Sequence, residues 1–158
     1  GGISYHTLLT DPNFRSAHEG LVSEFAEKAC TGRSGSNLSH AGTFDRSSRE
    51  LFASFHIWDM LLATATFRPT DEPCTTPGGR PGCLVNIQAQ FTFEDEYNWS
   101  ENEATPLPGG GPFGPRFRQD WALELKACSR KLWPDNTLHP KDFTTRIRMS
   151  KYWSVCCP

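Results

Sequence analysis

The chain has 158 residues, and its 16 Lys and Arg against 18 Asp and Glu give a formal net charge of -2 at pH 7. This length suits one core, so we expect residues 1–158 to form a single domain. The charge provides no basic field for nucleic acid, and no apolar stretch approaches the ~20 residues of a transmembrane helix. We therefore expect neither nucleic-acid binding nor a membrane span.

The cysteine content predicts the compartment. The chain has six scattered cysteines, which are Cys30, Cys74, Cys83, Cys128, Cys156 and Cys157. An even number without a Cys-x-x-Cys pair favours three disulfides over a metal site, and disulfides persist in oxidising compartments. We therefore expect a secreted, extracellular protein with no metal and no cofactor. Two Asn-x-Ser sequons, at Asn37 and Asn98, predict glycosylation.

The first element in chain order is a helix. Asp11 is a suitable N-cap, Pro12 suits the first helical position, and Gly32 marks a stop. Between them, apolar side chains recur at helical spacing: Phe14, Ala17, Leu21, Phe25 and Ala29. These features predict an amphipathic helix, and the polar residues 33–37 that follow predict a loop.

The stretch 51–67 fits two kinds of structure. Ser47 and Glu50 have the spacing of a capping box, and the apolar residues after them follow a helical period. Those residues are Leu51, Phe55, Trp58 and Leu62. Residues 63–67, however, read Ala-Thr-Ala-Thr-Phe, which is typical of a strand. We favour a strand over the whole stretch.

A second strand is predicted from Leu84 onward, because apolar residues alternate with polar ones there. The apolar set is Val85, Ile87, Ala89, Phe91 and Phe93. Cys74 and Cys83 bracket a segment rich in Pro and Gly just before this strand. Such a turn can bring two Cα atoms within bridging distance, so we predict a Cys74–Cys83 disulfide that closes a hairpin.

The second half of the chain contains a loop and two further predicted strands. Residues 104–115 are rich in Pro and Gly and can form neither a helix nor a sheet ladder, which predicts a long surface loop. Apolar and polar residues alternate over 121–126 and again over 143–155, as in half-buried strands. Turn-forming residues at 134–141 separate the two.

The chain ends in a vicinal cysteine pair, Cys156 and Cys157. Adjacent cysteines can bond to each other only in a strained peptide geometry. We therefore expect these two to bond separately to Cys30 and Cys128. The last strand would then be fixed to the rest of the domain at two places.

These elements predict an α+β fold, with one N-terminal amphipathic helix packed on an antiparallel sheet of about four strands and stabilised by disulfides. The order of elements is cystatin-like. The comparison concerns architecture alone, because the chain lacks the Gln-x-Val-x-Gly inhibitory signature. Fold analogy of this kind does not supply a function.

The leading functional hypothesis is a secreted interaction module that binds an extracellular protein or glycan through its loops, particularly 106–115. Binding sites usually reside on long loops, and no common catalytic motif is present. Exposed aromatic faces suit sugars or protein anchors, and a basic strand face suits an acidic partner. The candidate binding residues are therefore Tyr97, Trp99, Phe113, Arg146 and Arg148.

Two alternatives stay open. A small secreted hydrolase or toxin-like effector could use His56 or His139 as an acid or base. Glu94 or Asp95 would then be the carboxylate partner. None of these residues lies in a recognised motif, so the sequence favours a protein that is not an enzyme. The second alternative, from the cystatin-like order, is a protease inhibitor.

Overall fold

The computed structural model describes residues 3–55, 57–97 and 143–158, with the backbone alone at residues 53, 97 and 143. The elements are α1 (Tyr5–Leu8), α2 (Pro12–Ala29), β1 (Gly35–Thr43), α3 (Arg49–Ser54), β2 (Ile57–Thr75), β3 (Pro81–Tyr97) and β4 (Phe143–Cys157). The strands form one antiparallel sheet in the order β1-β2-β3-β4, and α2 packs on one of its faces. The predicted α+β fold is confirmed. Within the described ranges, no helix is long and apolar enough to cross a membrane.

Helix α2 forms as its sequence predicts. The Asp11 carboxylate accepts a hydrogen bond from the backbone N–H of Phe14 at 2.8 Å, which caps the helix, and Pro12 takes the first position. Cys30 is the C-cap, and Gly32 then takes a positive φ of 76° that favours glycine. Four of the five predicted apolar positions are buried, and Ala17 is partly buried against the same core.

The core between α2 and the sheet is mainly aromatic. Strand β3 turns its alternate side chains toward the helix, so that Phe91 and Phe93 are fully buried. They join Tyr5, Phe14, Phe25, Phe44, Trp58 and Phe67. Many neighbouring rings meet edge to face, as in Phe14 against Trp58 with centroids 5.3 Å apart, whereas Phe14 and Phe44 are stacked. Burying each such side chain stabilises the fold by about 1.5–3 kcal/mol relative to exposure.

Two sequence predictions near the first strands need correction. Residues 33–37 were predicted to form a loop, but β1 begins at Gly35. This edge strand is mostly polar and exposed, so it has no apolar alternation that would reveal it. The stretch 51–67 is not all strand, because α3 occupies its beginning and β2 starts only at Ile57. The pairing of β1 with β2 has a register shift between His40 and Gly42. This shift lies opposite the β2 segment from Trp58 to Leu61, and both of these side chains are buried.

Several predictions fall outside the described residues and stay predictions. They are the loop at 104–115, the strand at 121–126 and the turn at 134–141. The last strand is confirmed, since β4 runs from Phe143 to Cys157. The cystatin-like order and the single domain also stay predictions.

The predicted Cys74–Cys83 disulfide is wrong. Cys74 is bonded instead to Cys156, with their Cα atoms 5.9 Å apart. In the β2–β3 ladder Cys74 lies opposite Gly82, and Cys83 is the next residue along β3. Successive residues of a strand point to opposite faces, so the side chains of Cys74 and Cys83 lie on different sides of the sheet. Cys156 lies opposite Leu84 and therefore shares the face of Cys74.

The vicinal pair bonds to two separate elements, as the sequence predicts. Cys157 is bonded to Cys30 at the end of α2, with their Cα atoms 5.2 Å apart. It lies opposite Cys83 on the helix side of the sheet, whereas Cys156 points to the other side. The predicted tie to Cys30 is confirmed, but Cys74 takes the place expected for Cys128, which lies outside the described residues. Cys83 has no disulfide partner within the described ranges.

Candidate functional site

The face of the sheet opposite α2, called here the outer face, is polar and largely exposed. Its central positions carry amides and hydroxyls from all four strands. They include Asn37 of β1, Thr64 and Thr66 of β2, Asn86, Gln88 and Gln90 of β3, and Ser150, Tyr152 and Ser154 of β4. Asn is depleted in strands, so this composition is unusual for an ordinary solvated sheet face.

Two adjoining depressions lie on the outer face and share Thr66 and Gln88; together they are called the trough. The first has a volume of about 410 Å³, and Arg68, Tyr152 and Ser154 are among its lining residues. Pockets that bind small ligands usually have volumes of roughly 300–1,000 Å³. The trough is therefore large enough to hold a small ligand.

The second depression extends the trough to the edge strand β1. Its volume is about 470 Å³, and it is lined by Asn37, Thr64, Gln90 and Ser150 together with the two shared residues. The exposed carboxamide of Asn37 belongs to the first predicted sequon. The trough thus crosses all four strands of the sheet.

Hydrogen bonds within the trough leave most of its polar groups available. The Ser154 hydroxyl donates to the Asn86 side-chain oxygen at 2.7 Å, and the Gln88 amide donates to the Tyr152 hydroxyl at 3.4 Å. The Tyr152 side chain is 69% exposed. Amides and hydroxyls each donate and accept hydrogen bonds, so such a surface suits a ligand that does the same.

The charge of the basic strand face predicted from Arg146 and Arg148 is partly neutralised. Arg146 and Arg148 both lie on the outer face, at exposed positions. The Arg146 guanidinium donates to the Glu94 carboxylate at 2.8 Å, and this hydrogen bond and charge raise the pKa of Arg146. Lys151 points to the opposite face, with its Nζ 5.6 Å from the Trp153 ring centroid.

The two carboxylates predicted as alternative partners of a catalytic histidine lie on opposite faces of the sheet. Glu94 lies on the outer face with Arg146, whereas Asp95 is 5% exposed and points to the helix side. A site on one face could use only one of them, and the pairing of either with His56 or His139 stays a prediction. The remaining candidates lie outside the described residues, and they are His56, Asn98, Trp99, Phe113 and His139. Tyr97 ends β3, and only its backbone is described.

His18 is part of the core. Its Nδ1 lies 3.0 Å from the Tyr5 hydroxyl in a buried hydrogen bond, and its ring centroid lies 4.5 Å from that of Phe91. Burial lowers the pKa of His18, and the positive charge of Lys151 lowers it further. Among the residues described, no three metal-ligating side chains cluster.

We expect the protein to lose stability as the pH falls below 6.5, through His18. The folded state favours the neutral imidazole, because burial and the charge of Lys151 lower the pKa of His18. The negative charge of Glu19 opposes this lowering but does not reverse it. The unfolded chain therefore binds a proton at higher pH than the folded chain. Between the two pKa values, stability falls by about 1.4 kcal/mol for each unit of pH. Urea unfolding of the wild type and of His18→Gln at pH 7.5 and 5 measures this loss.

The substitution removes the titrating group but keeps a hydrogen-bond acceptor near Tyr5. The variant should therefore show a smaller drop in the free energy of unfolding between the two pH values. Equal drops in both proteins would show that His18 is not the responsible group.

Comparison with protein-family models, with curated proteins and with solved structures found no match in any of the three. The geometry of the outer face is therefore the basis for a functional proposal. Binding was predicted through the loops, particularly 106–115, and the trough was not predicted. The available signal was the run of amides at Asn86, Gln88 and Gln90, in a strand whose other face is apolar.

Proposed function

We propose that this protein is a secreted carbohydrate-binding module that holds an extracellular glycan in the trough of its outer face. The observation that carries the proposal is the lining of the trough, which combines amides and hydroxyls from four strands with the exposed ring of Tyr152. Sugar hydroxyls both donate and accept hydrogen bonds, as these side chains do. The apolar face of a sugar ring can stack on an aromatic ring such as that of Tyr152.

A glycan fits this surface better than a protein partner. The centres of protein interfaces are depleted of charge and contain several aromatic or aliphatic anchors in well-packed pockets. Among the described lining residues, Tyr152 is the one such anchor at an outer-face position, because the side chains of Ile87 and Trp153 point to the helix side. A peptide that joins a sheet does so by backbone hydrogen bonds at an edge, whereas the trough lies on a face.

The two disulfides support the extracellular setting, because they are compatible with an oxidising compartment. Asn37 of the first predicted sequon is exposed on the outer face and lines the β1 end of the trough. An N-linked glycan on Asn37 would cover that end, so the proposal takes its carboxamide as unmodified and available to the ligand.

No specific observation favours the two other hypotheses. The hydrolase hypothesis pairs His56 or His139 with Glu94 or Asp95, and Glu94 is bonded to Arg146. His56 and His139 lie outside the described residues. A protease inhibitor would need an exposed wedge of loops, for which the described elements give no support.

We expect Tyr152→Ala to weaken glycan binding by about tenfold, which corresponds to the ~1.4 kcal/mol that one well-stacked ring contributes. The measurement is binding of the refolded, disulfide-bonded protein to an array of extracellular glycans. Ile57→Ala is the matched control, because Ile57 is also an exposed apolar residue, at 46% exposure, but lies at the start of β2 outside the trough.

The control should bind as the wild type does. Glycan binding that is unchanged by Tyr152→Ala would show that the trough is not the site. Binding to an array of extracellular protein domains, with none to glycans, would replace the glycan by a protein partner and contradict the proposal.

A further inference from the structure

We infer that the glycan bound in the trough carries an acidic group, a carboxylate or a sulfate, and that Arg68 binds it. This inference rests on the proposed function and specifies its ligand. It follows from the position of Arg68, from the lack of a competing carboxylate among the described residues of the trough and from the length of the trough.

Arg68 projects from β2 at an exposed position of the outer face, directly opposite Asn86 of β3. It lines the same depression as Tyr152 and Ser154. No ion-pair partner of Arg68 is present among the described residues. Its guanidinium is therefore available to a ligand that lies against the Tyr152 ring.

The other outer-face arginines do not serve this role. Arg146 is occupied by the Glu94 carboxylate at 2.8 Å, and neither Arg146 nor Arg148 lines the trough. Within the described residues, Arg68 is the one charged side chain that lines either depression. The trough consequently presents a positive charge, although the chain as a whole has a net charge of -2. A ligand with a negative group complements it.

The chemistry of the guanidinium matches such a ligand. Arginine presents planar N–H donors that bind two oxygens of one carboxylate or sulfate, and these charge-assisted bonds are about twice as strong as neutral ones. Polar side chains beside Arg68, including Asn86 and Ser154, can bond the hydroxyls of the same sugar.

The length of the trough indicates an oligosaccharide. Along β2 its lining runs from Arg68 to Thr64, which is four residues, or ~13 Å. The acidic sugar would lie at the Arg68 end, in the depression that Tyr152 also lines. Neutral sugars would continue over Gln88 toward β1, where only amides, hydroxyls and backbone line the surface.

The test compares immobilised glycans in matched pairs: sialylated with desialylated, uronate-containing with its neutral counterpart, and sulfated with desulfated. We expect the wild type to bind the acidic member of at least one pair tenfold or more tightly, and the pair concerned identifies carboxylate or sulfate. Arg68→Gln should remove this preference, so that the acidic and neutral members of the pair bind equally, and Arg68→Lys should retain part of it. Arg148→Gln, a change of the same charge outside the trough, should behave as the wild type.

Each outcome separates the two proposals. Binding that depends on Tyr152 but is equal for acidic and neutral members would overturn the role of Arg68 and keep the glycan site. A preference for acidic glycans that persists in Arg68→Gln would also refute it. If no glycan binds in a manner that depends on Tyr152, the proposed function and this inference are both wrong.

Discussion

Replacing Cys30 and Cys157 together by serine should lower the free energy of unfolding by about 4 kcal/mol. This bridge connects residues 127 positions apart and joins the end of α2 to the end of β4. When the Cys74–Cys156 bridge is intact, the shortest loop closed by the Cys30–Cys157 bridge contains residues 30–74 and 156–157. In the chain-entropy account, opening a loop of that length gives the unfolded chain the freedom that produces this loss.

The measurement is urea unfolding of the wild type and of the double variant under the same oxidising conditions. The companion variant, with Cys74 and Cys156 both replaced by serine, opens the loop of the same residues and should lose a similar amount of stability. Peptide mapping without reduction should find Cys30 with Cys157 and Cys74 with Cys156. A map that joins Cys74 to Cys83, or a loss below ~1 kcal/mol, would contradict the bridges described here.

Asp11→Ala should lower the free energy of unfolding by about 3 kcal/mol, because one buried carboxylate serves two backbone groups. Asp11 is fully buried, and its two oxygens accept from the N–H groups of Phe14 and Asp45, each at 2.8 Å. The substitution removes the cap of α2, which is worth ~1 kcal/mol. It also leaves the partly buried N–H of Asp45 without its acceptor, at a cost of ~1–3 kcal/mol.

Denaturant unfolding of three variants resolves these contributions. Asp71→Ala removes a carboxylate at an exposed position of β2 and should change stability by less than ~0.5 kcal/mol. Asp11→Asn keeps one acceptor oxygen but places an N–H group toward the other donor, so its loss should be intermediate. An effect of Asp11→Ala no larger than that of Asp71→Ala would show that the carboxylate does not hold these elements together.

The parts of the fold that could be predicted are those with a local signal. Asp11 and Pro12 define the start of α2, and the alternation around Phe91 defines β3, because each pattern repeats within one element. Strand β1 could not be predicted, since an exposed edge strand has no apolar face. Its position depends on the ladder with β2, which is a contact between distant residues.

The disulfide error has a single geometric cause. The turn between β2 and β3 contains residues 76–80, and this length places Cys74 opposite Gly82. A turn one residue longer would place Cys74 opposite Cys83, on the same face. Because side chains alternate along a strand, a change of one residue in register exchanges the two faces. Composition predicts that a turn is present but does not fix its length to one residue.

The trough could not be predicted for a similar reason. Arg68, Gln88 and Tyr152 come from three strands, and only the register of the sheet brings them together. Read alone, β3 shows its run of amides, but neither β2 nor β4 shows which of its residues lie beside that run. The loop hypothesis used the longest region of Pro and Gly, which is a local signal, whereas the trough depends on long-range pairing.

The two bridges of the vicinal cysteines also determine how the protein would respond to proteolysis. The peptide connection between β4 and the described residues before it runs through residues 98–142. Two disulfide bonds, to Cys30 and to Cys74, also attach β4 to the domain. A protease that cut the backbone anywhere between residues 98 and 142 would therefore produce two polypeptides that stay covalently attached. β4 and its share of the trough would remain linked to the domain until the bridges were reduced.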